Sequence, residues 1–426
     1  MADPSKSPPL TRSSVIAAHE LVKPHVHYTP VLSNTTLTHL ASTPQTPGAL
    51  EGTEWAGRRP AHPTLRLWFK CENLQRVGAF KVRGAFHALE RLKASEDDWE
   101  GEKGRERRSK GVVTHSSGNH AQALSLAARS MGIPAHIVMP TISTPSKIAA
   151  TKGYGANVIF SGSTSTEREA VVEEVIKATG AKLVPPYDHP DIMLGQGTLG
   201  LEFQKQVEMM IAEGKHAYQV KCSFALQGSE VKTNGLGQER KGLDAIIAPC
   251  GGGGMLSGVA MSCEGTGIKV FGAEPSFEGA DDCKRGLAAG KRIETVKTLT
   301  IADGLRTPVG EYPWKIISNK ELVRGMFSVT EDQIKSALRL VLERMKMVVE
   351  PSSVVPLAVA LYNEDFRSMV EREAGADGWD LGLVVSGGNV SVEALGKMFE
   401  VPDKQGARQE AKLGADGKRV AENVAG

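Results

Sequence analysis

Apolar positions along this chain fall into two rhythms. Short apolar runs bounded by glycine, proline or polar clusters read as buried strands, and stretches with apolar residues at i, i+3, i+4 and i+7 read as helices. Residues 13–23 carry the first helical pattern, closed by Pro24, and His27–Leu32 reads as extended because the residue before a proline avoids the helical region. Leu65–Cys71 is an apolar strand candidate, and after Lys81 the positions Val82, Ala85, Phe86 and Leu89 mark an amphipathic helix. A tight alternation follows: strand Val112–His115, helix 120–131 burying Leu124, Ala128 and Met131, strand Ala135–Met139, helix 144–153, strand Val158–Phe160, helix 166–179 and strand Lys182–Val184. Helix 191–213, strand Ala245–Ala248, helix 254–263 and strand Lys269–Ala273 continue it. Thr330 opens a late helix with Gln333 as its capping-box partner, its buried face being Ile334, Leu338, Val341 and Met345, and Leu381–Val385 is the last strand.

This strand–helix order predicts an α/β fold with parallel sheets covered by helices on both faces. With 426 residues the chain suits two lobes plus insertions rather than one small core. Three stretches read as insertions: 42–63, rich in Pro, Gly and Thr; 93–110, a solvated run of mixed charge; and 221–242, polar and glycine-rich. The polar tail from about residue 402 is expected to be mobile. No stretch has the uninterrupted apolar run of a membrane span, and Met1–Ser5 shows neither a signal core nor an Arg-rich transit pattern, so the expected location is cytoplasmic.

Composition narrows the function. The 51 basic residues nearly balance the 49 acidic ones, leaving a net charge of +2 and no electrostatic case for a nucleic-acid partner. Five cysteines (Cys71, Cys222, Cys250, Cys263, Cys283) are scattered with no CxxC spacing, which argues against a zinc site and for a reducing compartment.

The chemistry gathers in one lysine and three strand-end loops. Lys81 lies between small and apolar neighbours in Gly78-Ala79-Phe80-Lys81-Val82-Arg83-Gly84; desolvation there lowers the amine pKa, and a neutral amine attacks carbonyls. Gly251–Gly254 joins a strand to a helix, a turn that aims backbone N–H groups at a phosphate; it lacks the Gly-Lys-Ser/Thr of a Walker loop and the spacing of a dinucleotide fingerprint. Ser116-Ser117-Gly118-Asn119-His120 suits a carboxylate, or serves as an ordinary helix cap. Ser386-Gly387-Gly388-Asn389 is the third loop, and ligands of open α/β sheets collect at such strand ends.

These stretches, with Lys70-Cys71-Glu72, Gly195-Gln196-Gly197-Thr198, Ala248-Pro249-Cys250, Met255-Leu256, Gly272-Ala273-Glu274-Pro275 and Ile301-Ala302-Asp303-Gly304, occur in one order over residues 13–395. In that order they resemble the fold-type II pyridoxal-phosphate enzymes (tryptophan synthase β-like), specifically the serine racemase and serine/threonine dehydratase group. The resemblance implies a Schiff-base role for Lys81, with Phe80 beside the cofactor ring and Gly251, Gly252, Gly253, Gly254 and Met255 on its phosphate. It implies Asn119 on the ring 3′-oxygen, Ser386 at the pyridine nitrogen and Tyr187 as a further cofactor contact. A hydroxyl at the ring nitrogen leaves a milder electron sink than a carboxylate would. Ser116, Ser117, Asn119 and His120 would hold the substrate carboxylate, with Ser117 also the acid/base on the face opposite Lys81. Glu274, Ala280 through its carbonyl, and Asp282 match a magnesium or calcium site, with Phe277-Glu278-Gly279 as a small insertion. Asn119, Gln122 and Lys346 match positions around an ATP effector at a homodimer interface, whereas Arg76-Val77 differ from the group.

The resulting expectation is a large cofactor domain from residues 1–100 and 190–400, a small substrate-carboxylate domain from 111–186, and a mobile tail from 401–426. The expected activity is β-elimination of L-serine or L-threonine to a 2-oxo acid and ammonia, accompanied by serine racemisation. A dedicated amino-acid racemase is the first alternative. A non-catalytic protein binding pyridoxal phosphate or an amino acid is the second, and a plain nucleotide-binding fold resting on the glycine loop alone is the third.

Overall fold

The computed structural model describes residues 3–95, 99–116, 118–143, 145–162, 164–215 and 240–400. Ten strands appear among them: β1 (Val31–Ser33), β2 (Leu65–Cys71), β3 (Val112–His115), β4 (Ala135–Pro140), β5 (Asn157–Ser161), β6 (Lys182–Leu183), β7 (Ala245–Pro249), β8 (Lys269–Pro275), β9 (Gly325–Val329) and β10 (Trp379–Val385). They form a six-stranded sheet of order β1-β2-β10-β7-β8-β9 and a four-stranded sheet of order β5-β4-β3-β6. Only the edge strand β1 runs antiparallel to its neighbour; the other pairs are parallel, with β10 beside β2 in the register Trp379↔Leu65 to Val385↔Cys71. Every residue of β2, β7 and β10 is buried, as expected of parallel strands covered on both faces.

The long Pro190–Ala212 helix is the spine of the large sheet's packing, and its small residues explain why a motif such as Gly195-Gln196-Gly197-Thr198 is needed. A Cβ on Gly195 would stand 2.7 Å from the Gly84 Cα, and one on Gly197 would stand 2.6 Å from the Gly258 carbonyl oxygen. The helix therefore lies in backbone contact with both the Lys81–Ala94 helix and the Gly254–Cys263 helix. Gln196 adds a hydrogen bond, accepting from the Gly84 N–H at 3.1 Å.

Beneath this contact lies a buried charge cluster. The Arg83 guanidinium donates to both Glu72 oxygens at 2.8 and 2.9 Å and to both Glu202 oxygens at 2.8 Å. Lys70 donates to Glu202 and Gln206, each at 2.8 Å, and to the Thr29 carbonyl at 2.9 Å. Two cations and two anions, all buried, sum to zero, and the Thr198 hydroxyl at 3.3 Å takes the fifth Arg83 N–H.

Several sequence expectations shift. The 42–63 stretch is not a free loop: it contains the Pro47–Leu50 helix, buries Leu50, Trp55 and Ala61, and ties Arg58 to Asp365 and Arg59 to Glu371. The charged 93–110 run resolves into the Glu102–Lys110 helix, solvated as expected but preceded by buried Trp99. Most of the 221–242 insertion and the whole of 401–426 lie outside the described residues. The Glu331–Leu340 helix has the expected capping box, but Met345 is only half-buried because a π-turn over Val341–Met345 ends at Lys346 with φ 60°. Residues through Asn389 make one compact unit; beyond it lies the Val392–Phe399 helix, capped by Ser391. Among the described residues no helix is long and apolar enough to cross a membrane.

Replacing Arg83 with methionine leaves buried Glu72 with no cation and Glu202 with Lys70 alone. Arg83→Met is expected to lower the unfolding free energy by about 3–5 kcal/mol in urea titrations, whereas Lys315→Ala, which removes an exposed helical pair with Glu311, should leave the midpoint unchanged.

Candidate active site

Residues at or after the carboxyl ends of β2, β3, β4, β7 and β10 line one cleft of about 1200 Å³. Lys81 lines it at the first turn of its helix, with Phe80 just before it. Phe80 is held by its backbone N–H, which donates to the Ser386 carbonyl at 3.1 Å, while Ala79 bridges to Gly387. The loops after β2 and β10 thus fix one another. The Lys81 Nζ donates to the Pro186 carbonyl at 2.7 Å and lies 5.2 Å from the centre of the Phe80 ring. Desolvation pulls its pKa down to about 8, against an opposing pull from Glu350, so the amine is neutral over much of the mildly alkaline range.

The glycine loop follows β7. A Cβ on Gly251 would stand 2.9 Å from the Leu305 Cα, and one on Gly252 would run into the Tyr187 ring. Gly253 takes φ 83°, a conformation costly for any other residue. It caps the Gly254–Cys263 helix with no side chain on the cap. The first N–H groups of that helix consequently remain available in a cradle that only glycine can line. A phosphate fits such a cradle: it matches the donors and the positive end of the helix dipole.

The Asn119–Ser130 helix opens in the same way. Its N-cap is Gly118 with no side-chain cap, and Ser116 accepts only a long 3.4 Å bond from the Gly118 N–H. An anion is again the natural partner, here a carboxylate. Ser117 lies outside the described residues. The His120 side chain is engaged within the protein. Its Nε2 lies 3.0 Å from the Val184 carbonyl, which can only accept, so Nε2 carries the proton. Burial and the nearby Lys81 push its pKa down to about 3, so the ring is neutral and its buried Nδ1 is an acceptor with no partner. The side chain has no donor to offer a carboxylate; only the His120 backbone N–H could contribute.

Asn119 donates from Nδ2 to both Glu350 oxygens at 3.1 Å and accepts from Asn389 Nδ2 at 2.8 Å. Asn389 also donates to the Val77 carbonyl at 2.8 Å. Ser386 is buried with its Oγ 3.1 Å from Ser353 Oγ. Ser353 already spends its one proton on the Gly387 carbonyl at 2.6 Å, so Ser386 is the donor in the bond between the two hydroxyls and its oxygen keeps its acceptor capacity. Tyr187 packs against the glycine loop along the cleft wall. Of the proposed metal residues, Glu274 ends β8 and accepts the Cys283 and Lys284 N–H groups at 3.0 and 2.9 Å, while Asp282 accepts the Val309 N–H at 3.1 Å. Glu274, Ala280 and Asp282 are all buried, outside the lining of the cleft.

Glu350 was not singled out from the sequence, although an acid in an extended apolar run before Pro351 and two serines is a visible oddity. Burial and then Asp303 push its pKa up to about 7. Lys147 and Asp303, paired at 2.8 Å on the cleft rim, were also unassigned and, being partly exposed, contribute little stability.

A lysine with a lowered pKa, an anion cradle and a second uncapped helix start, gathered at parallel strand ends, define an α/β enzyme built for carbonyl chemistry on an amino acid. The sequence profile of the family described as "Pyridoxal-phosphate dependent enzyme" matches residues 53–374, and the chain belongs to that family. It is 37% identical over 394 residues to a serine racemase of Dictyostelium discoideum, covering 92% of this chain and 98% of that one. Among solved structures, maize serine racemase superposes with a TM-score of 0.69 at 34% identity (91% and 96% of the two chains), and a T.th. threonine deaminase with 0.64 at 33% (89% and 98%).

The raised Glu350 pKa has a thermodynamic consequence. Below its ordinary pKa near 4.5 both folded and unfolded states hold the proton; between 4.5 and 7 only the folded state does, so this residue's contribution falls as pH rises and levels off above 7. In urea unfolding of the cofactor-free protein, Glu350→Gln should therefore gain on wild type by on the order of 3 kcal/mol between pH 4.5 and 8. A difference that stays flat across this range would show an ordinary carboxyl.

Proposed function

We propose that this protein is a pyridoxal-5′-phosphate-dependent L-serine/L-threonine ammonia-lyase that also racemises serine. The observation that carries the reading is the desolvated Lys81 amine, held on the Pro186 carbonyl in a cleft shared with an uncapped glycine cradle and an uncapped helix start. In this reading Lys81 would hold the cofactor, Gly251–Met255 would take its phosphate, Phe80 and Tyr187 would flank the ring, Ser386 would face its nitrogen, and Asn119 would give up a bond to Glu350 to donate to its 3′-oxygen. When bound, the cofactor supplies an electron sink for charge developing at the substrate Cα.

The chain's own groups do the rest. Ser116, Ser117 and the N–H groups that open the Asn119–Ser130 helix hold the substrate carboxylate, and residues 111–186 act as the substrate-carboxylate domain. Lys81, neutral above about pH 8, accepts the Cα proton from one face. Loss of the β-hydroxyl then leads to a 2-oxo acid and ammonia. Return of a proton from the opposite face, by Ser117, gives the D-amino acid instead. The named serine racemase relatives and the hydroxyl at position 117 favour this second outcome alongside the first.

A hard divalent cation belongs to the same reading. Burial and then the neighbouring Cys283 and Asp282 push the Glu274 carboxyl well up, and burial lifts Asp282 to about 6. Neither makes an ion pair among the described residues, so two carboxylates and the Ala280 carbonyl would suit magnesium or calcium. A homodimer and a cytoplasmic setting complete the proposal, the latter supported by buried unpaired Cys71, Cys250, Cys263 and Cys283. An ATP effect would rest on Asn119, Gln122 and Lys346.

Incubation of the holoenzyme with L-serine, with pyruvate and D-serine quantified together, is expected to yield both. Visible cofactor absorbance with neither product from serine or threonine would favour a non-catalytic binder. Lys81→Ala should remove both products, and turnover retained in that variant would refute the assignment. Ser117→Ala should spare pyruvate and eliminate D-serine; loss of both in equal measure would reduce Ser117 to a carboxylate ligand.

A further inference from the structure

The cysteines show no metal-binding spacing along the chain, but the fold brings two of them together. Cys250 follows directly after β7 and precedes the glycine loop, Glu274 lies near the end of the adjacent strand β8, and Cys283 sits in the first turn of the Asp282–Ala289 helix. Their ligand atoms lie within 4.8 Å of one another, and all three side chains are buried. The β7–β8 pairing, ending at Pro249↔Ala273, sets Cys250 beside Glu274, and the Cys250 N–H donates to the Ala273 carbonyl at 2.8 Å. The Cys283 and Lys284 N–H groups orient the Glu274 carboxylate without exhausting its lone pairs.

We propose that Cys250, Glu274 and Cys283 form a binding site for a soft or borderline divalent cation, zinc or cadmium. Tetrahedral zinc with Zn–S bonds of about 2.3 Å separates its ligand atoms by about 3.8 Å; the cluster's ligand atoms lie within 4.8 Å of one another, so side-chain shifts on the order of 1 Å bring them onto the ion. Two thiolates select against magnesium and calcium, which take oxygen ligands. Binding forms two metal–sulfur bonds and one metal–oxygen bond, and releases to solvent both thiol protons and any proton held on the Glu274 carboxyl. Glu274 is shared with the hard-cation set, so the two kinds of ion exclude one another. The three-residue cluster does not depend on the hard cation being present. Its position has a consequence for the cleft, because a metal on Cys250 ties the first residue before Gly251 to both β8 and the Asp282–Ala289 helix.

The test is a cadmium titration of reduced full-length holoenzyme, freed of reductant, following the ultraviolet thiolate-to-cadmium charge-transfer band. One cadmium per chain is expected, with Cys250→Ser and Cys283→Ser each losing more than about tenfold in affinity and Cys222→Ser losing none. No band, or a band indifferent to Cys250 and Cys283, overturns the site. Should the serine variants fail to fold, X-ray absorption of the zinc-loaded wild-type protein decides the matter: two sulfurs around zinc uphold the site, and one or none refutes it. Activity of the enzyme enters neither readout, so failure here leaves the role of Lys81 untouched.

Discussion

The saturated guanidinium of Arg83 is the interaction on which the rest of the structure depends. A buried arginine is tolerable only if its charge is neutralised and its five N–H groups are met. Here Glu72, just after β2, and Glu202 and Thr198 from the Pro190–Ala212 helix meet it, and Lys70 balances the second carboxylate. Three elements are therefore locked at one point with little freedom of register. Arg83 lies two residues after Lys81 on the same helix, so the cluster sets where that helix begins and which way the lysine leaves it. The glycine contacts around Gly84, Gly195, Gly197 and Gly258 bring the backbones close enough for this short-range pairing to close.

From that anchor the cleft inherits its electrostatics. Two helices begin at the strand ends with no side-chain cap, leaving N–H groups aimed at solvent or ligand, while a third begins at Lys81 itself. The environment is thus poised for anions, and a desolvated amine has every reason to shed its proton there. Glu350 works in the opposite sense, favouring the charged lysine, yet burial raises its own pKa toward neutrality. Burial thus moves the lysine down to about 8 and the glutamate up to about 7, and this keeps both groups near the pH at which proton transfer is most useful.

The strand–helix alternation and strand-end loops were legible from periodicity because parallel strands and amphipathic helices leave strong patterns. The Leu65–Cys71 and Val112–His115 strands and the Gly254–Cys263 helix match residue for residue. What escaped is what depends on three-dimensional closure. β9 (Gly325–Val329) carries a glycine and a weak alternation, and the Val355–Tyr362 helix opens with a proline inside an apolar run. The resemblance groups His120 with the carboxylate-binding residues, but the Val184 carbonyl that engages its side chain is a tertiary neighbour that no sequence pattern carries. Cys250 and Cys283 stand 33 residues apart in sequence, and no spacing rule links residues that a parallel strand pair makes neighbours.

Val77 shows what the assembled site costs. A β-branched residue at φ 56° is a backbone outlier, and such conformations cost on the order of 1–3 kcal/mol unless their surroundings enforce them. The enforcing contacts run through one chain of amides. The Val77 carbonyl accepts from Asn389, Asn389 donates also to Asn119, Asn119 donates to Glu350, and the Glu350 backbone N–H returns to the Gly387 carbonyl at 3.1 Å. Loops after β2, β3 and β10 are joined in a closed circuit, so a strained turn beside Lys81 is held by the same side chains that face the cleft. Relaxing Val77 would release the Asn389 amide and with it the orientation of Asn119. The strain and the order of the cleft are two aspects of one hydrogen-bonded ring.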